Sequence, residues 1–450
     1  MKLGRIVAPI LALALVGGYV ALDGADIVPG PLTTRPVISD PAPHPVPVVQ
    51  PAAADPAPFA IESVTPADVT GILAEFVAQP EVGPRVAVDI RDASTGARIA
   101  SHNPTQLGPP ASSTKVLTAA ATLARLGPAH TFSTTTVLAD STIVLVGGGD
   151  LLLGVGEPAE GADGRASLTV LAEQTATALK SRGITTISLG VDDTLFEGDG
   201  VDVWNHLDYR WVIRMTPLAV RGGMDGAEFV SDRDYTIYTA ELFAGELATQ
   251  GITVEGSPTR MAAPEGAALV GVVESATVEE VTAWMLKTSN NSVSEALARH
   301  VAIARGEGST AAAAAAAVTA EIAALGLPAT GLYLADTCGL ASENLISPDL
   351  LVETVQLALS GANPRLDSMV EGFPISYLDG TLSDRIMAAA GEVRAKTGTL
   401  ATVVSLTGLI EARSGARLTF SVVAAGLEPG GVWGARLRVD QLVAALTENA

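Results

Sequence analysis

The segment Arg394-Ala395-Lys396-Thr397-Gly398-Thr399-Leu400 lies within a stretch rich in β-branched residues, from Glu392 to Ile410, that predicts a β-strand. A second strand is predicted from Arg417 to Ala425, after a turn at Ser414-Gly415. Residues 86–101 alternate around a Ser-Thr-Gly turn, which is the pattern of a β-hairpin. Both ends of the body of the chain are therefore predicted to join one antiparallel sheet with helices packed on it.

Four consecutive residues of the first segment suit a substrate site on a strand. Lys396 would add positive charge to such a site, and Gly398 has no side chain, so a substrate backbone could lie close against it. Thr397 and Thr399 carry hydroxyl groups that could donate hydrogen bonds to a substrate carboxylate. A Lys-Thr-Gly triplet has a chance frequency of roughly 0.04, because lysine is scarce in this composition. The lysines of the chain are Lys2, Lys115, Lys180, Lys287 and Lys396.

A second lysine follows a serine at helical spacing in Ser112-Ser113-Thr114-Lys115, at the start of a predicted helix from Ser112 to Leu126. Residues three apart share a helix face, so the Ser112 hydroxyl would point at the Lys115 amine. Burial and neighbouring cations lower the pKa of a lysine, and a neutral Lys115 could then deprotonate Ser112 as a nucleophile. The helix N-terminus also favours negative charge that develops at Ser112.

Between these two segments in the chain, Ser289-Asn290-Asn291 interrupts the helical pattern from Val278 to Arg305. In chain order, Ser112–Lys115 is here called the first motif, Ser289–Asn291 the second and Lys396–Gly398 the third. Ser289 could relay a proton toward a leaving group, and Asn291 could orient a substrate amide and hold Lys115 in place. The backbone amides of Ser112 and Thr399 could form an oxyanion hole. Taken singly, Ser112 also fits a helix cap, Ser289 a loop residue and Lys396 a lysine on the surface of a strand. Chance occurrence of the three motifs in this order is below about one in a thousand.

Composition excludes several other classes of protein. The 450 residues carry 49 acidic against 27 basic side chains, a formal charge of -22, which disfavours nucleic-acid binding. A single cysteine cannot form an internal disulfide or a structural zinc site. The sequence has no H-E-x-x-H motif, and Gly147-Gly148-Gly149-Asp150 is interpreted as a turn rather than a dinucleotide site. Neither a metal nor a cofactor is therefore expected.

The N-terminus predicts export. Lys2 and Arg5 precede an apolar run, residues 6–22, which is the pattern of a signal peptide within residues 1–25. The alternative is an uncleaved membrane anchor, which would then be the only membrane contact. Residues 26–59 are rich in proline and alanine and are interpreted as an extended linker. The predicted location is periplasmic, cell-wall associated or extracellular.

The motif set resembles that of penicillin-binding proteins and class A β-lactamases. The long separation between Lys115 and Ser289 is similar to the class C low-molecular-mass penicillin-binding proteins, a family of D-alanyl-D-alanine carboxypeptidases and endopeptidases. The likeness covers roughly residues 60–450. Further segments similar to the family are Leu145–Asp150, Asp379–Leu382 and Arg394–Leu400.

The resemblance implies a mixed α/β (α+β) fold of the serine β-lactamase/DD-peptidase type, with a five-stranded antiparallel sheet flanked by helices. Residues 60–135 and 275–450 would form this domain, and residues 136–274 would form an inserted mixed α/β region. The implied function is that of an exported serine D-alanyl-D-alanine carboxypeptidase, also able to act as an endopeptidase, with Ser112 as the acylated residue. Peptidoglycan stem peptides would be the substrates and β-lactam antibiotics the inhibitors.

Some positions depart from the family pattern. Asn290 stands where the family usually has Asp, and Cys338 and Ala341 replace serines of a D-x-S-G-L-S segment. Ser342 and Glu343 follow where relatives often have a basic residue. Two alternative functions remain open at this point: a β-lactamase, although no E-x-E-L-N segment follows the first motif, and a catalytically silent peptidoglycan-binding protein.

Overall fold

The computed structural model describes residues 66–156, 166–198, 208–225, 228–229 and 232–449 of the chain. The predicted leader, residues 1–25, and the predicted linker, residues 26–59, lie outside the described residues. Within the described part, no helix combines the length and the apolar character needed to cross a bilayer.

The described helices and strands are distributed along the whole body. The α-helices are α1 (Pro66–Val77), α2 (Lys115–Leu126), α3 (Leu168–Lys180), α4 (Tyr235–Thr249), α5 (Val278–Thr288), α6 (Asn291–Arg305), α7 (Ala311–Ala324), α8 (Pro348–Leu359) and α9 (Val432–Asn449). The strands are β1 (Arg85–Asp92), β2 (Arg98–His102), β3 (Ser133–Ala139), β4 (Thr142–Val146), β5 (Asp150–Leu153), β6 (Thr186–Asp192), β7 (Leu218–Val220), β8 (Met224–Asp225), β9 (Glu228–Phe229), β10 (Thr253–Val254), β11 (Thr259–Arg260), β12 (Ala268–Glu274), β13 (Val393–Leu400), β14 (Val403–Glu411) and β15 (Arg417–Ala425).

A five-stranded antiparallel sheet joins both ends of the body in the order β13-β14-β15-β1-β2. The alternating pattern therefore correctly predicted the hairpin β1–β2 and the strand β15. The single strand predicted from Glu392 to Ile410 is wrong, because the chain reverses at Ala401-Thr402 and forms the hairpin β13–β14. This turn contains no Gly, Pro, Asn or Asp, the residues by which a turn is recognised in a sequence.

Helices cover both faces of this sheet. On one face, apolar side chains of α1 and α9 pack with strand residues such as Val88 and Phe420 in a shared core. On the other face, α8 contacts β1 and β15, and α2 packs against α8 and α6. The five-stranded sheet flanked by helices is thus confirmed, and its edge strand β13 is the strand that carries Lys396.

The region between the first two motifs forms a second sheet, in the order β10-β6-β4-β3-β12 with β11 also paired to β6. Strands β3, β4 and β12 are antiparallel neighbours, whereas β6 pairs in parallel with β4, β10 and β11. Helices α3 and α4 pack beside it. This confirms an inserted mixed α/β region, while the domain limits at 135/136 and 274/275 stay a prediction.

Candidate active site

Ser112 lies on a short 3-10 turn, Ala111–Thr114, and the α-helix begins only at Lys115. The α-helix that the sequence predicts from Ser112 to Leu126 therefore begins three residues later, at Lys115. Ala111, the first residue of the turn, has a φ of 50°, which is not an α-helical conformation. Gly339 packs tightly against this residue, since a Cβ added to Gly339 would lie 1.9 Å from the Ala111 carbonyl oxygen. Residues i and i+3 eclipse on a 3-10 turn, so the turn brings Lys115 directly over Ser112.

The Lys115 amine is fully buried and contacts three oxygen atoms. Its Nζ lies 3.0 Å from Ser112 Oγ, 2.7 Å from Asn291 Oδ1 and 2.6 Å from the Cys338 carbonyl oxygen. The amide and carbonyl oxygens can only accept hydrogen bonds. They would therefore take both N–H groups of a neutral amine and leave its lone pair facing Ser112.

Burial lowers the pKa of Lys115 below its ordinary value, because the charged form loses water. The negative charges of Asp336 and Glu295 act in the opposite direction and raise that pKa. The net direction is downward, which makes a neutral Lys115 more accessible near neutral pH.

The second motif forms the junction between two helices. Ser289 ends α5 in a left-handed conformation with a φ of 58°, and its Oγ accepts a hydrogen bond of 2.9 Å from Lys396 Nζ. Asn290 caps α6, because its side chain accepts from the amide of Val293 at 2.9 Å. The helical break predicted here is confirmed, and it separates Ser289, which contacts Lys396, from Asn291, which contacts Lys115.

The inserted region supports this junction through backbone atoms. Asn291 Nδ2 donates to the Trp211 carbonyl and Asn290 Nδ2 donates to the Gly222 carbonyl, both at 2.8 Å. An aspartate at position 290 could cap the helix but could not make the second of these bonds, since an ionised carboxylate only accepts. The asparagine that departs from the family pattern thus contributes a donor.

The third motif lies on the edge strand β13, with Lys396 opposite Thr407 and Gly398 opposite Ser405 on β14. Lys396 is fully buried, and its Nζ donates to Ser289 Oγ and, at 2.8 Å, to the Thr397 carbonyl. Burial, aided by the positive charges of Lys115 and Arg385, holds the pKa of Lys396 well below its ordinary value.

Gly398 lies close against the turn that carries Ser112. A Cβ at this position would lie 2.2 Å from Ser405 Oγ, 2.5 Å from the Pro110 carbonyl oxygen and 3.1 Å from Ala111 Cβ. The missing side chain therefore makes room for the turn that carries Ser112, while the approach of a substrate backbone to Gly398 stays a prediction.

The outer edge of β13 is partly open. The amides of Val393 and Ala395 donate outward, to Ser376 Oγ at 3.2 Å and to the Pro374 carbonyl at 2.9 Å. Because amides alternate in direction along a strand, those of Thr397 and Thr399 point to the same edge. In the described part of the chain, β13 has no strand neighbour on that edge, so an extended peptide could pair with it.

A buried loop holds the Cys338 carbonyl in place. Asp336 accepts from the amides of Gly339 and Ala341 at 2.8 and 2.6 Å, and Glu295 accepts from the amide of Thr337 at 2.8 Å. The ligand atoms of Glu295, Asp336 and Cys338 lie within 4.8 Å of one another, but these hydrogen bonds already occupy the carboxylates. Burial raises the pKa of the Cys338 thiol well above its ordinary value, and its Sγ donates to Asp336 Oδ2 at 3.4 Å.

The structure brings together the side chains of the three motifs that the sequence singled out. Ser112, Lys115 and Asn291 form one hydrogen-bonded group, and Ser289, Lys396 and Thr397 form another. The sequence did not reveal the carbonyls of Cys338, Trp211 and Gly222, nor the side chains of Ser405 and Thr381 that contact the site. For two of them a signal was available: Cys338 lies in Asp336–Ala341 and Thr381 in Asp379–Leu382, and both segments are similar to family segments.

Comparisons with known proteins identify the family of the chain. The model of the D-Ala-D-Ala carboxypeptidase 3 (S13) family matches residues 69–230 and 216–446. The carboxypeptidase DacB of Mycolicibacterium smegmatis is 31% identical over 460 residues, covering 99% of this chain and 95% of that protein. A carboxypeptidase of Mycobacterium tuberculosis is 30% identical over 381 residues, covering 81% of each.

Solved structures support the same fold. Penicillin-binding protein 4 of Haemophilus influenzae superposes with a TM-score of 0.66 at 18% identity, covering 86% of this chain and all (100%) of that one. A predatory endopeptidase of Bdellovibrio bacteriovorus superposes with a TM-score of 0.52 at 16% identity, covering 80% of this chain and 92% of that one. Together with the sequence matches, these comparisons show that the chain belongs to the D-Ala-D-Ala carboxypeptidase 3 (S13) family and is a serine-type carboxypeptidase.

Proposed function

We propose that the protein is an exported D-alanyl-D-alanine carboxypeptidase that trims peptidoglycan stem peptides through an acyl-enzyme on Ser112. The observation that carries the proposal is the environment of Lys115. Two of the three atoms around its Nζ, Asn291 Oδ1 and the Cys338 carbonyl, can only accept hydrogen bonds. The third neighbour, Ser112 Oγ, is then the group whose proton the lysine can take.

The reaction follows from these positions. Ser112 Oγ attacks the carbonyl carbon of the penultimate D-alanine while its proton moves to Lys115 Nζ. The oxyanion is held by the backbone amides of Ser112 and Thr399. The C–N bond then breaks, and Ser289 relays the proton held by Lys115 to the nitrogen of the departing D-alanine, giving up its own hydroxyl proton as it takes the one from Lys115. Water then attacks the ester carbonyl and passes a proton to Lys115, which returns it to Ser112 Oγ as the ester C–O bond breaks.

The third motif binds the free end of the substrate in this proposal. Lys396 Nζ donates to Ser289 Oγ, and the hydroxyls of Thr397 and Thr399 donate to the terminal carboxylate. The peptide lies along the open edge of β13, where the outward amides of this strand are available. An endopeptidase reaction would use the same residues on a cross-linked peptide.

Acylation by β-lactams is part of the proposal. A penicillin-binding protein 4 structure from Haemophilus influenzae in complex with a β-lactam superposes with a TM-score of 0.61. The apolar run of residues 6–22, preceded by Lys2 and Arg5, supports export, with the protein either released or held at the membrane by that segment.

The test is to incubate the full-length protein with a fluorescent penicillin, locate the adduct by mass spectrometry, and measure D-alanine release from a peptide ending in D-Ala-D-Ala. A lasting one-to-one adduct on Ser112 and D-alanine release are expected, and both should be lost in Ser112→Ala. Ser181→Ala, which alters an exposed serine after α3, is the matched control. Rapid drug hydrolysis without an adduct would point to a β-lactamase, and no reaction at all would point to a silent binding protein.

A further inference from the structure

Residues 374–382, here called the clasp loop, run along the outer edge of β13. Ala395 donates to the Pro374 carbonyl and Ser376 donates to the Val393 carbonyl, each at 2.9 Å. Ile375 and Arg394 form an isolated antiparallel bridge. The clasp loop therefore pairs with the first residues of the edge strand, and this backbone pairing ends at Ala395, just before Lys396.

The same loop is fastened to the second motif. Asp379 forms an ion pair with Lys287 on α5, two residues before Ser289, and also accepts from the amide of Ile375 at 2.7 Å. Gly380 has a φ of 55°, and a Cβ there would lie 2.7 Å from the Lys287 carbonyl oxygen. The position of the clasp loop is thus set by α5 as well as by β13.

At its end the loop places one hydroxyl against the third motif. Thr381 Oγ1 lies 2.7 Å from Thr397 Oγ1, and Thr397 is 7% exposed. A threonine hydroxyl has one proton and two lone pairs, and its O–H rotates to suit its neighbours. When a carboxylate binds, Thr397 must donate its proton to that carboxylate, because the carboxylate can only accept. The Thr397 oxygen can then accept the proton of Thr381.

We propose that Thr381 is a positioning residue that fixes the direction of the Thr397 hydroxyl so that it donates to the terminal carboxylate of the substrate. The chain of donors runs from Thr381 through Thr397 to the carboxylate, and aligned hydrogen bonds polarise one another. Thr381 acts through Thr397 rather than on the reacting atoms. This inference rests on the proposed function, since it needs a substrate with a free carboxylate at Thr397.

The experiment compares Thr381→Val with the wild-type enzyme on two peptides that both end in D-Ala-D-Ala, one with a free carboxylate and one amidated at its C-terminus. For the free acid, kcat/KM should fall about tenfold, chiefly as a higher KM, which is the effect of one lost hydrogen bond in a binding interaction. For the amide, the same substitution should change kcat/KM by less than about twofold, because a charged acceptor makes the stronger bond. Thr381→Ser, which keeps the hydroxyl, should restore the wild-type value.

The matched control is Thr142→Val, which removes a hydrogen bond of similar length, 2.8 Å, between the hydroxyls of Thr142 and Ser188 in the second sheet. This substitution should leave kcat/KM unchanged for both peptides. An equal loss on both peptides, or no loss on either, would overturn the inference. A wild-type enzyme that releases no D-alanine and forms no adduct on Ser112 would instead overturn the proposed function, so the two failures are distinguishable.

Discussion

The five-stranded sheet domain and the inserted region both contact the second motif, but through different kinds of atoms. The former supplies side chains: Lys396 from β13 reaches Ser289, and Lys115 from α2 reaches Asn291. The inserted region supplies backbone atoms: the carbonyls of Trp211 and Gly222 accept from the second motif, and the amide of Ile213 donates to Ser292 Oγ, one residue after that motif, at 3.1 Å.

This difference separates chemistry from support. Proton transfer depends on the chemical group that a side chain carries, so a substitution that replaces this group removes the reaction. A backbone carbonyl or amide is present in almost every residue, so its contribution depends on the path of the chain and not on its sequence. We therefore expect side-chain changes on the five-stranded sheet domain to affect rate, and changes at the insertion contacts to affect stability.

The largest effect is expected for Lys115→Met. Removing the amine that takes the Ser112 proton should lower the second-order rate of acylation by a fluorescent penicillin by about a thousandfold or more. Lys180→Met is the matched control, since Lys180 is exposed at the end of α3 in the inserted region. Acylation within tenfold of wild type in Lys115→Met would remove Lys115 from its assigned role.

A smaller but still large loss is expected for Gly398→Ala. The added methyl group would overlap Ser405 Oγ and the Pro110 carbonyl, and so would push the Ser112 turn away from β13. A displacement near 1 Å costs about a hundredfold in rate, and stopped-flow acylation measures it.

The control for this change is Gly245→Ala, an exposed glycine within α4 where a Cβ meets nothing within 4 Å. It should leave acylation unchanged and stabilise the protein by about 0.5–1 kcal/mol, because alanine favours a helix. Equal rates in Gly398→Ala and wild type would mean that the contact between the turn and the strand does not position Ser112.

The difference between side-chain and backbone contacts also determines which parts of the molecule could be predicted from the sequence. The motifs around Ser112, Ser289 and Lys396 were found from residue type and spacing, and the hairpin β1–β2 from its alternation. The Cys338 carbonyl could not be found in this way, because the fold and not the side chain brings it to Lys115. The turn at Ala401-Thr402 was missed because no residue in it carries a turn preference, so only pairing between β13 and β14 defines it.

The smallest effect on rate is expected where the insertion meets the second motif. Ser292 is fully buried, and Ser292→Ala would leave the buried amide of Ile213 without its acceptor. An unsatisfied buried amide costs about 1–3 kcal/mol, so the free energy of unfolding in urea should fall by that amount. Acylation of Ser112 should stay within a few-fold of wild type, because none of the reacting side chains has changed.

Ser181→Ala removes an exposed hydroxyl and is the control, with an expected change below about 0.5 kcal/mol. The comparison between the two regions would break if Ser292→Ala slowed acylation as much as Lys115→Met while its unfolding free energy stayed at the wild-type value. The backbone contacts of the inserted region would then take part in the chemistry. A loss of stability without a loss of rate would instead mean that the insertion holds the second motif at its position and that the side chains of the five-stranded sheet domain carry out the reaction.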